Sequence, residues 1–205
     1  DERAHVHRGQ PGVWHVRTRD ARASGDSRAS LGCVSANLML TTPLTIARML
    51  PTDWPAVAAI YRDGIATGQA TFETAVPNWD EFDAQHCVAA RLVARLNTRI
   101  VGWAALSPVS ARAAYRGVVE VSVYVAAGHR RRGIGRALLA ELIRQSEAAG
   151  FWMLQAVICS DNAASLALHA ACGFRQVGRR ERIGQLCGVW RDTVLLERRS
   201  AIVGV

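Results

Sequence analysis

The chain has 205 residues, a formal net charge of +8 and an apolar share of 50%. These values predict one domain with a buried core, and they exclude a globally disordered chain. All 25 basic residues are arginine, and the positive charge favours anionic partners without separating nucleic acid from a phosphorylated small molecule.

The first 42 residues differ in composition from the rest. Residues 1–30 mix Arg, Ser, Gly and His without an apolar period, a pattern typical of a disordered segment. Asp1, Glu2 and Asp20 argue against a transit peptide, and no secretory apolar stretch is present. We expect residues 1–42 to be a disordered or non-native extension, with Met39 as the native start, and residues 43–200 to form the domain.

The first half of this domain predicts a strand, two helices and a hairpin. Residues 44–50 alternate like a strand, and residues 51–66 have a helical period with Thr52 and Asp53 as cap candidates. A second, short helix is expected to start near Asn78. Two alternating runs on either side of 97–98 predict a β-hairpin.

The second half predicts alternating strands and helices. Residues 118–127 are the most β-prone stretch; a helix over about 133–149, a strand, a helix over 161–172 and two closing strands follow. The order β-α-α-β-β-β-α-β-α-β-β predicts a single α/β domain with a mixed twisted sheet flanked by helices.

The segment GHRRRGIGR joins the β-prone strand to the helix that follows it. The first amides of a helix have no intrahelical partner and carry the positive end of the dipole, so they form an anion site. Gly133 and Gly135 let a phosphate approach the backbone. Arg131, Arg132 and Arg136 add charge around the rim. The segment therefore predicts a diphosphate site.

Two motifs resemble the GNAT superfamily of N-acetyltransferases. Arg130-x-x-Gly133-x-Gly135 resembles the R/Q-x-x-G-x-G/A segment that binds the coenzyme A pyrophosphate in that superfamily. NAASLALHAACGF resembles its N-x-x-A-x-x-x-Y-x-x-x-G-F pattern, with Asn162 at the first position and His169 in the tyrosine slot. The resemblance covers roughly residues 44–198. It implies the GNAT fold and acetyl-CoA as co-substrate. No cluster of His, Cys, Asp and Glu in the sequence suggests a metal.

Three longer segments narrow the resemblance to one family. TFETAVPNWDEFDAQH, GWAALSPVSARAAYRGVVEVSVYV and RRERIGQLCGVWRDTVLLER resemble the phosphinothricin and methionine sulfoximine N-acetyltransferases. The resemblance implies acetylation of the α-amine of a small amino acid, with arsinothricin as a further substrate, in detoxification or resistance. It also implies a homodimer.

The resemblance assigns roles to individual residues. Glu120 is expected to act as general base, directly or through a water, if burial raises its pKa. His169 is expected to donate a hydrogen bond from its neutral ring to the leaving sulfur, or to be structural. The expected cofactor-binding residues are Val123, Tyr124, Val125, Arg130, Arg131, Arg132, Gly133, Ile134, Gly135, Arg136 and Asn162. The backbone of residues 123–125 is expected to pair with pantetheine amides and to supply an oxyanion donor.

Four residues are candidates for substrate binding. Arg112 and Tyr115 precede the Glu120 strand and suit a carboxylate or phosphinate because arginine offers a bidentate fork. Phe72 and Glu73 match the first active-site loop of the family. Any of the four is equally compatible with an ordinary surface position.

Rival functions make different demands on the sequence. Residues 88–119 contain no carboxylate, which argues against a cationic substrate such as a polyamine, while a protein amino terminus stays open. Single-strand binding needs aromatic residues among the basic ones, and HRRRGIGR has none, so we expect no nucleic-acid partner.

No apolar run reaches the roughly 18 residues of a membrane span. Five cysteines without CxxC or metal-ligand spacing predict reduced thiols in a cytoplasmic protein.

Overall fold

The computed structural model describes residues 43–205, so the expectations for residues 1–42 lie outside the described part. The strands are β1 Leu44–Arg48, β2 Leu92–Leu96, β3 Arg99–Pro108, β4 Val118–Val125, β5 Met153–Cys159, β6 Arg175–Leu186 and β7 Val189–Arg199. The helices are α1 Trp54–Ala66, α2 Trp79–Gln85, α3 Ile134–Ala148 and α4 Ala163–Ala171. None of these helices is long and apolar enough to cross a membrane.

The described strands form one sheet in the order β1-β2-β3-β4-β5-β7-β6. Only β4 and β5 pair in parallel, through α3, while the other neighbouring pairs are antiparallel. The predicted α/β class, the order of elements and the central βαβ unit are confirmed.

The two faces of the sheet bury separate apolar clusters because side chains alternate along each strand. On one face, Leu106 and Val121 pack with Leu138 of α3. On the other, Trp103 packs with Val57 of α1 and Phe82 of α2. On β4 the alternation therefore directs Val121 to the α3 face and Glu120, Ser122 and Tyr124 to the face that α1 and α2 cover.

Local capping explains where the shorter helices begin. Asn78 caps α2, as predicted: its side chain accepts from the Glu81 amide at 3.0 Å, and the Glu81 carboxylate accepts from the Asn78 amide at 2.8 Å. Asp53 occupies the N-cap of α1, but its carboxylate accepts from the Leu50 amide and pairs with Arg95.

The sheet opens in its centre. β4 and β5 pair only where Val118, Val119 and Glu120 lie opposite Met153, Leu154 and Gln155, although both strands continue beyond these residues. Past Glu120, β4 keeps its bonds to β3 but has no partner on the β5 side. The strands therefore part and leave an unpaired backbone edge between them.

Candidate active site

A cleft of about 980 Å³ lies where β4 and β5 part. The loop after α1, strand β4, the start of α3 and helix α4 all contribute to its walls. It collects most of the predicted site residues: Phe72, Glu73, Glu120, Val123, Tyr124, Val125, Arg130, Arg131, Gly133, Ile134, Gly135, Arg136, Asn162 and His169. Its volume falls within the range of small-molecule sites.

The start of α3 has the geometry of an anion cradle. Gly133 is the N-cap with φ +78°, and Arg131 also has a left-handed φ of +59°. A Cβ on Gly133 would meet no atom within 4 Å, so the space above the backbone is open. The first helical bond runs from the Ala137 amide to the Gly133 carbonyl at 3.0 Å, and the amides before Ala137 have no acceptor in the helix. This arrangement suits a phosphate group.

Gly135 lines the cleft and also contributes to helix packing. A Cβ on this residue would lie 3.1 Å from Cδ2 of Leu168 on α4. The missing side chain therefore lets α3 pack closely against α4. That it also opens the backbone to a phosphate stays a prediction.

Arg132 does not join the other arginines in the cleft. It lines an adjoining surface pocket of about 530 Å³ with Leu44 and Asn97, which shares His129 and Ile134 with the cleft, while Arg130, Arg131 and Arg136 line the cleft itself. The prediction that Arg132 lies on the rim of the diphosphate site is therefore not supported.

The β4 edge offers hydrogen-bonding groups to the cleft. Val123, Tyr124 and Val125 pair with β3 on one side and line the cleft on the other, where no β5 residue pairs with them. An extended ligand with amide groups can bind such an edge as an added strand does. A backbone amide there is also suitably placed to stabilise an oxyanion.

Glu120 lies at the point where the two strands part. Its strand neighbours are Ser107 on β3 and Gln155 on β5, neither of which is ionisable near neutral pH. Burial raises the pKa of the Glu120 carboxyl, and the positive charge of Arg180 acts in the opposite direction. A half-buried carboxylate with a raised pKa suits proton abstraction near neutral pH.

His169 is buried, with 3% of its surface exposed, and packs edge-on against Phe174. Its Nδ1 lies 2.8 Å from the Ser165 carbonyl oxygen, whereas its Nε2 is buried without a hydrogen-bond partner. Because a carbonyl oxygen can only accept, Nδ1 carries the proton. Burial also lowers the pKa of His169, which favours the neutral ring.

The contact with Ser165 bears on the predicted chemistry of His169. When the only N–H group of the neutral ring bonds to the Ser165 carbonyl, Nε2 presents a lone pair. The ring then has no N–H group free for the leaving sulfur, and the donor role of His169 stays a prediction. In this tautomer, Nε2 is an orphaned acceptor on the wall of the cleft.

Asn162 joins two walls of the cleft. Its Oδ1 accepts from the Ser165 amide at 3.1 Å and caps α4, while its Nδ2 donates to the Gln69 carbonyl at 3.2 Å. The loop after α1 is thereby attached to the start of α4. Both polar atoms of the side chain are engaged, and direct contact of Asn162 with a cofactor stays a prediction.

The loop after α1 also contacts the far side of the cleft. A Cβ on Gly184 of β6 would lie 2.9 Å from Cε1 of Phe72, so the ring packs directly over the glycine backbone. Phe72 thus forms a wall against β6. Glu73, the next residue, is exposed on the cleft.

The sequence predicted Tyr124 for its backbone only, and it did not predict Tyr61, whose ring also lines the cleft. Tyr124 stacks on Trp103 with ring centroids 4.5 Å apart, and Tyr61 of α1 lies edge-on to Tyr124 at 5.0 Å. Burial raises the pKa of both phenols. Alternation on β4 could have placed Tyr124 on the Glu120 face, but no local signal links Tyr61 to it.

Arg112 and Tyr115 lie outside the cleft. They flank and end a short 3-10 turn, Ala113–Tyr115, in the loop between β3 and β4, and both are exposed. Neither lines the cleft. Contact of Arg112 and Tyr115 with the substrate stays a prediction.

The residues present fit a coenzyme A thioester. The cradle at the start of α3 suits a diphosphate, the free β4 edge suits amide groups, and the His169 Nε2 is an unpaired polar atom on the same cleft. Among residues 43–205, no group of three or more His, Cys, Asp or Glu is arranged to hold a metal ion. The fold and the cleft together define an acyl-coenzyme A-dependent transferase.

The comparison with known families agrees with this class. The profile of the acetyltransferase (GNAT) family matches residues 54–174. The chain therefore belongs to the GNAT family of acetyltransferases, as the two sequence motifs predicted.

Three known proteins illustrate the similarity. The chain is 40% identical over 154 residues to a phosphinothricin N-acetyltransferase of Alcaligenes faecalis, covering 71% of this chain and 77% of that protein. It is 32% identical over 151 residues to an L-methionine sulfoximine/L-methionine sulfone acetyltransferase of Pseudomonas paraeruginosa, covering 71% and 88%. A Sinorhizobium meliloti phosphinothricin acetyltransferase, solved in complex with acetyl-CoA, superposes with a TM-score of 0.70 at 31% identity and covers 78% of this chain and 90% of its own.

Proposed function

We propose that the protein transfers the acetyl group of acetyl-CoA to the α-amine of a small amino acid of the phosphinothricin or methionine sulfoximine type. The observation that carries the proposal is the position of Glu120. This half-buried carboxylate lies where β4 and β5 part, on the same cleft as the anion cradle at the start of α3. The names of the similar proteins support the substrate class.

The cradle and the β4 edge bind and orient the co-substrate. Acetyl-CoA supplies an activated acyl group as a thioester. The amides at the start of α3, with Arg131 and Arg136, hold its diphosphate, since a helix N-terminus and guanidinium groups both stabilise anions. The unpaired backbone of Val123–Val125 orients the amide-containing arm and polarises the thioester carbonyl.

Glu120 and His169 divide the proton chemistry. The α-amine of an amino acid is protonated at neutral pH and must lose a proton before it attacks, and Glu120 accepts that proton. The Nε2 of His169 accepts a hydrogen bond from an N–H, S–H or water O–H group in the cleft, because its lone pair has no partner. Both groups gain from exclusion of water, which strengthens their electrostatic effects.

The wider biological setting follows the same similarity. We propose arsinothricin as a further substrate, a role in detoxification or resistance, and a homodimer in the cytoplasm. The exposed Arg112 and Tyr115 lie on a surface available to a second subunit.

A thiol-release assay tests the proposed function. With acetyl-CoA present, phosphinothricin, methionine sulfoximine and methionine sulfone should each release free thiol at saturable rates, while spermidine should not. Mass spectrometry should show one added acetyl group on the α-amine. Turnover of spermidine but of none of the three amino acids would contradict the proposed substrate class.

A further inference from the structure

The cleft face of the outer strands carries a guanidinium that the proposed mechanism does not use. Arg180 on β6 lies directly opposite Thr193 on β7, and Thr193 lies directly opposite Cys159 on β5. Directly opposed residues of antiparallel strands point to the same face of the sheet. Thr193 and Cys159 both line the cleft, so Arg180 lies on the same face of the sheet, one strand beyond the lining residues, with its side chain exposed.

Arg180 has no ion pair and no side-chain hydrogen bond within the described residues. Four other arginines of these strands are paired, Arg175 with Glu197, Arg179 with Asp192, Arg191 with Asp161 and Arg198 with Glu147, and Arg199 bonds to backbone carbonyls. Arg182 shares the lack of an ion pair with Arg180, but its backbone amide donates to the Asp192 carboxylate. The guanidinium of Arg180 therefore retains its full donor set for another partner.

The charge of Arg180 reaches the candidate base. Of the groups around Glu120, Ser107 and Gln155 are uncharged, and Glu197 beyond Gln155 is paired with Arg175. Burial raises the pKa of the Glu120 carboxyl, and the positive charge of Arg180 opposes that increase. An α-amino acid carries its carboxylate one carbon away from its amine, so a cation near the base can hold the amine against it.

Arg180 also lies on the strand that supports the Phe72 wall. The β6–β7 register is interrupted between Arg180 and Gly184, and Gly184 is the residue over which Phe72 packs. A bulge of this kind re-aims the side chains beside it. The bulge thus brings a cation and a wall of the cleft to one short segment.

We propose that Arg180 binds the anionic oxygen group of the amino-acid substrate. A carboxylate and a phosphinate both match the bidentate fork of arginine. The proposal rests on the proposed function, because it names the residue that selects an amino acid at the same site.

Steady-state kinetics of Arg180→Ala and Arg180→Lys test the proposal, with Arg182→Ala as the matched control. We expect Arg180→Ala to raise the KM for the amino acid at least about tenfold, since a hydrogen-bonded charge is lost. The KM of Arg180→Lys should lie between those of the wild type and Arg180→Ala, because lysine keeps the charge but lacks the bidentate fork. Arg182→Ala should keep the wild-type KM, and all three should keep the wild-type affinity for coenzyme A.

The choice of substrate identifies which anion Arg180 binds. A KM that rises for phosphinothricin but not for methionine sulfone assigns Arg180 to the phosphinate. If the KM rises for both phosphinothricin and methionine sulfone, but not for a methionine sulfone whose α-carboxylate is replaced by a carboxamide, Arg180 binds the α-carboxylate. In either case the acid limb of kcat/KM should move to higher pH in Arg180→Ala, since Glu120 loses a neighbouring positive charge.

The proposal and the proposed function fail in different ways. A wild-type KM for both amino acids in Arg180→Ala, measured on an enzyme whose wild type acetylates them, overturns the proposal for Arg180 alone. A wild-type enzyme that acetylates no amino acid overturns both. Because Arg180 is exposed, the alanine variant should fold, and its thermal denaturation midpoint should match that of Arg182→Ala.

Discussion

The Nδ1 of His169 lies 2.8 Å from the carbonyl oxygen of Ser165, one helical turn earlier on α4. This contact determines the tautomer and leaves Nε2 as an acceptor on the cleft. In the proposed reaction we therefore expect the histidine to accept a hydrogen bond and the leaving sulfur to obtain its donor from another group.

The tautomer of His169 is directly measurable. We expect the ¹⁵N chemical shifts of its ring to show a protonated Nδ1 and an unprotonated Nε2 at pH 7. His169→Gln should lower kcat on the order of a hundredfold and leave the affinity for coenzyme A unchanged. A ring protonated at Nε2 would contradict this assignment.

The pH dependence of catalysis should follow Glu120. Burial raises the pKa of this carboxyl above its ordinary value, so the base is lost by protonation as the pH falls, and kcat/KM should decline on the acid side at a pH above that ordinary value. Glu120→Gln should remove this limb and lower kcat on the order of a hundredfold or more. Glu141→Gln, on the outer surface of α3, is the control and should keep the wild-type profile.

Arg131, Arg132 and Arg136 should differ in their contribution to coenzyme A binding. Arg131→Ala and Arg136→Ala should each weaken the affinity by about tenfold, since each removes a charge from the cleft. Arg132→Ala should have a much smaller effect, because that side chain lines the adjoining pocket. Isothermal titration calorimetry with coenzyme A at low salt measures the difference, and three equal losses would contradict the described geometry.

The two hydrogen bonds of Asn162 can be separated by substitution. Asn162→Ala removes the cap of α4 and the bond to Gln69, and should cost about 1 kcal/mol of stability. Asn162→Asp keeps a capping oxygen but cannot donate to the Gln69 carbonyl. We expect it to retain wild-type stability in denaturant unfolding while raising the KM for the amino acid, since the loop after α1 is released.

A methyl group at Gly184 should disturb the Phe72 wall. Gly184→Ala would place a carbon 2.9 Å from the Phe72 ring, so the ring must move and the KM for the amino acid should rise severalfold. Gly178→Ala, on the same strand, is a matched control because its added carbon would meet no atom within 4 Å. Equal KM values for the two variants would show that the contact does not shape the substrate site.

The sequence by itself determined the elements and the capping residues. Alternation and helical period are properties of neighbouring residues, so the strands, the four helices and the βαβ unit could be read in order. The cap at Asn78 and the left-handed glycine at the start of α3 depend only on the residues beside them. The two motifs were sufficient to recognise the family, because their residues lie within single loops and helices.

Only the tertiary structure decided how side chains meet across the cleft. Gly135 faces Leu168, Phe72 packs over Gly184, and Arg180 reaches the Glu120 face, because the sheet order β5-β7-β6 brings residues close that are far apart in sequence. The burial of His169 against Phe174 likewise depends on the packing of α4 in the whole domain. Sequence periodicity gives the face of an element on which a residue lies, but its partner depends on the register and packing of the whole sheet.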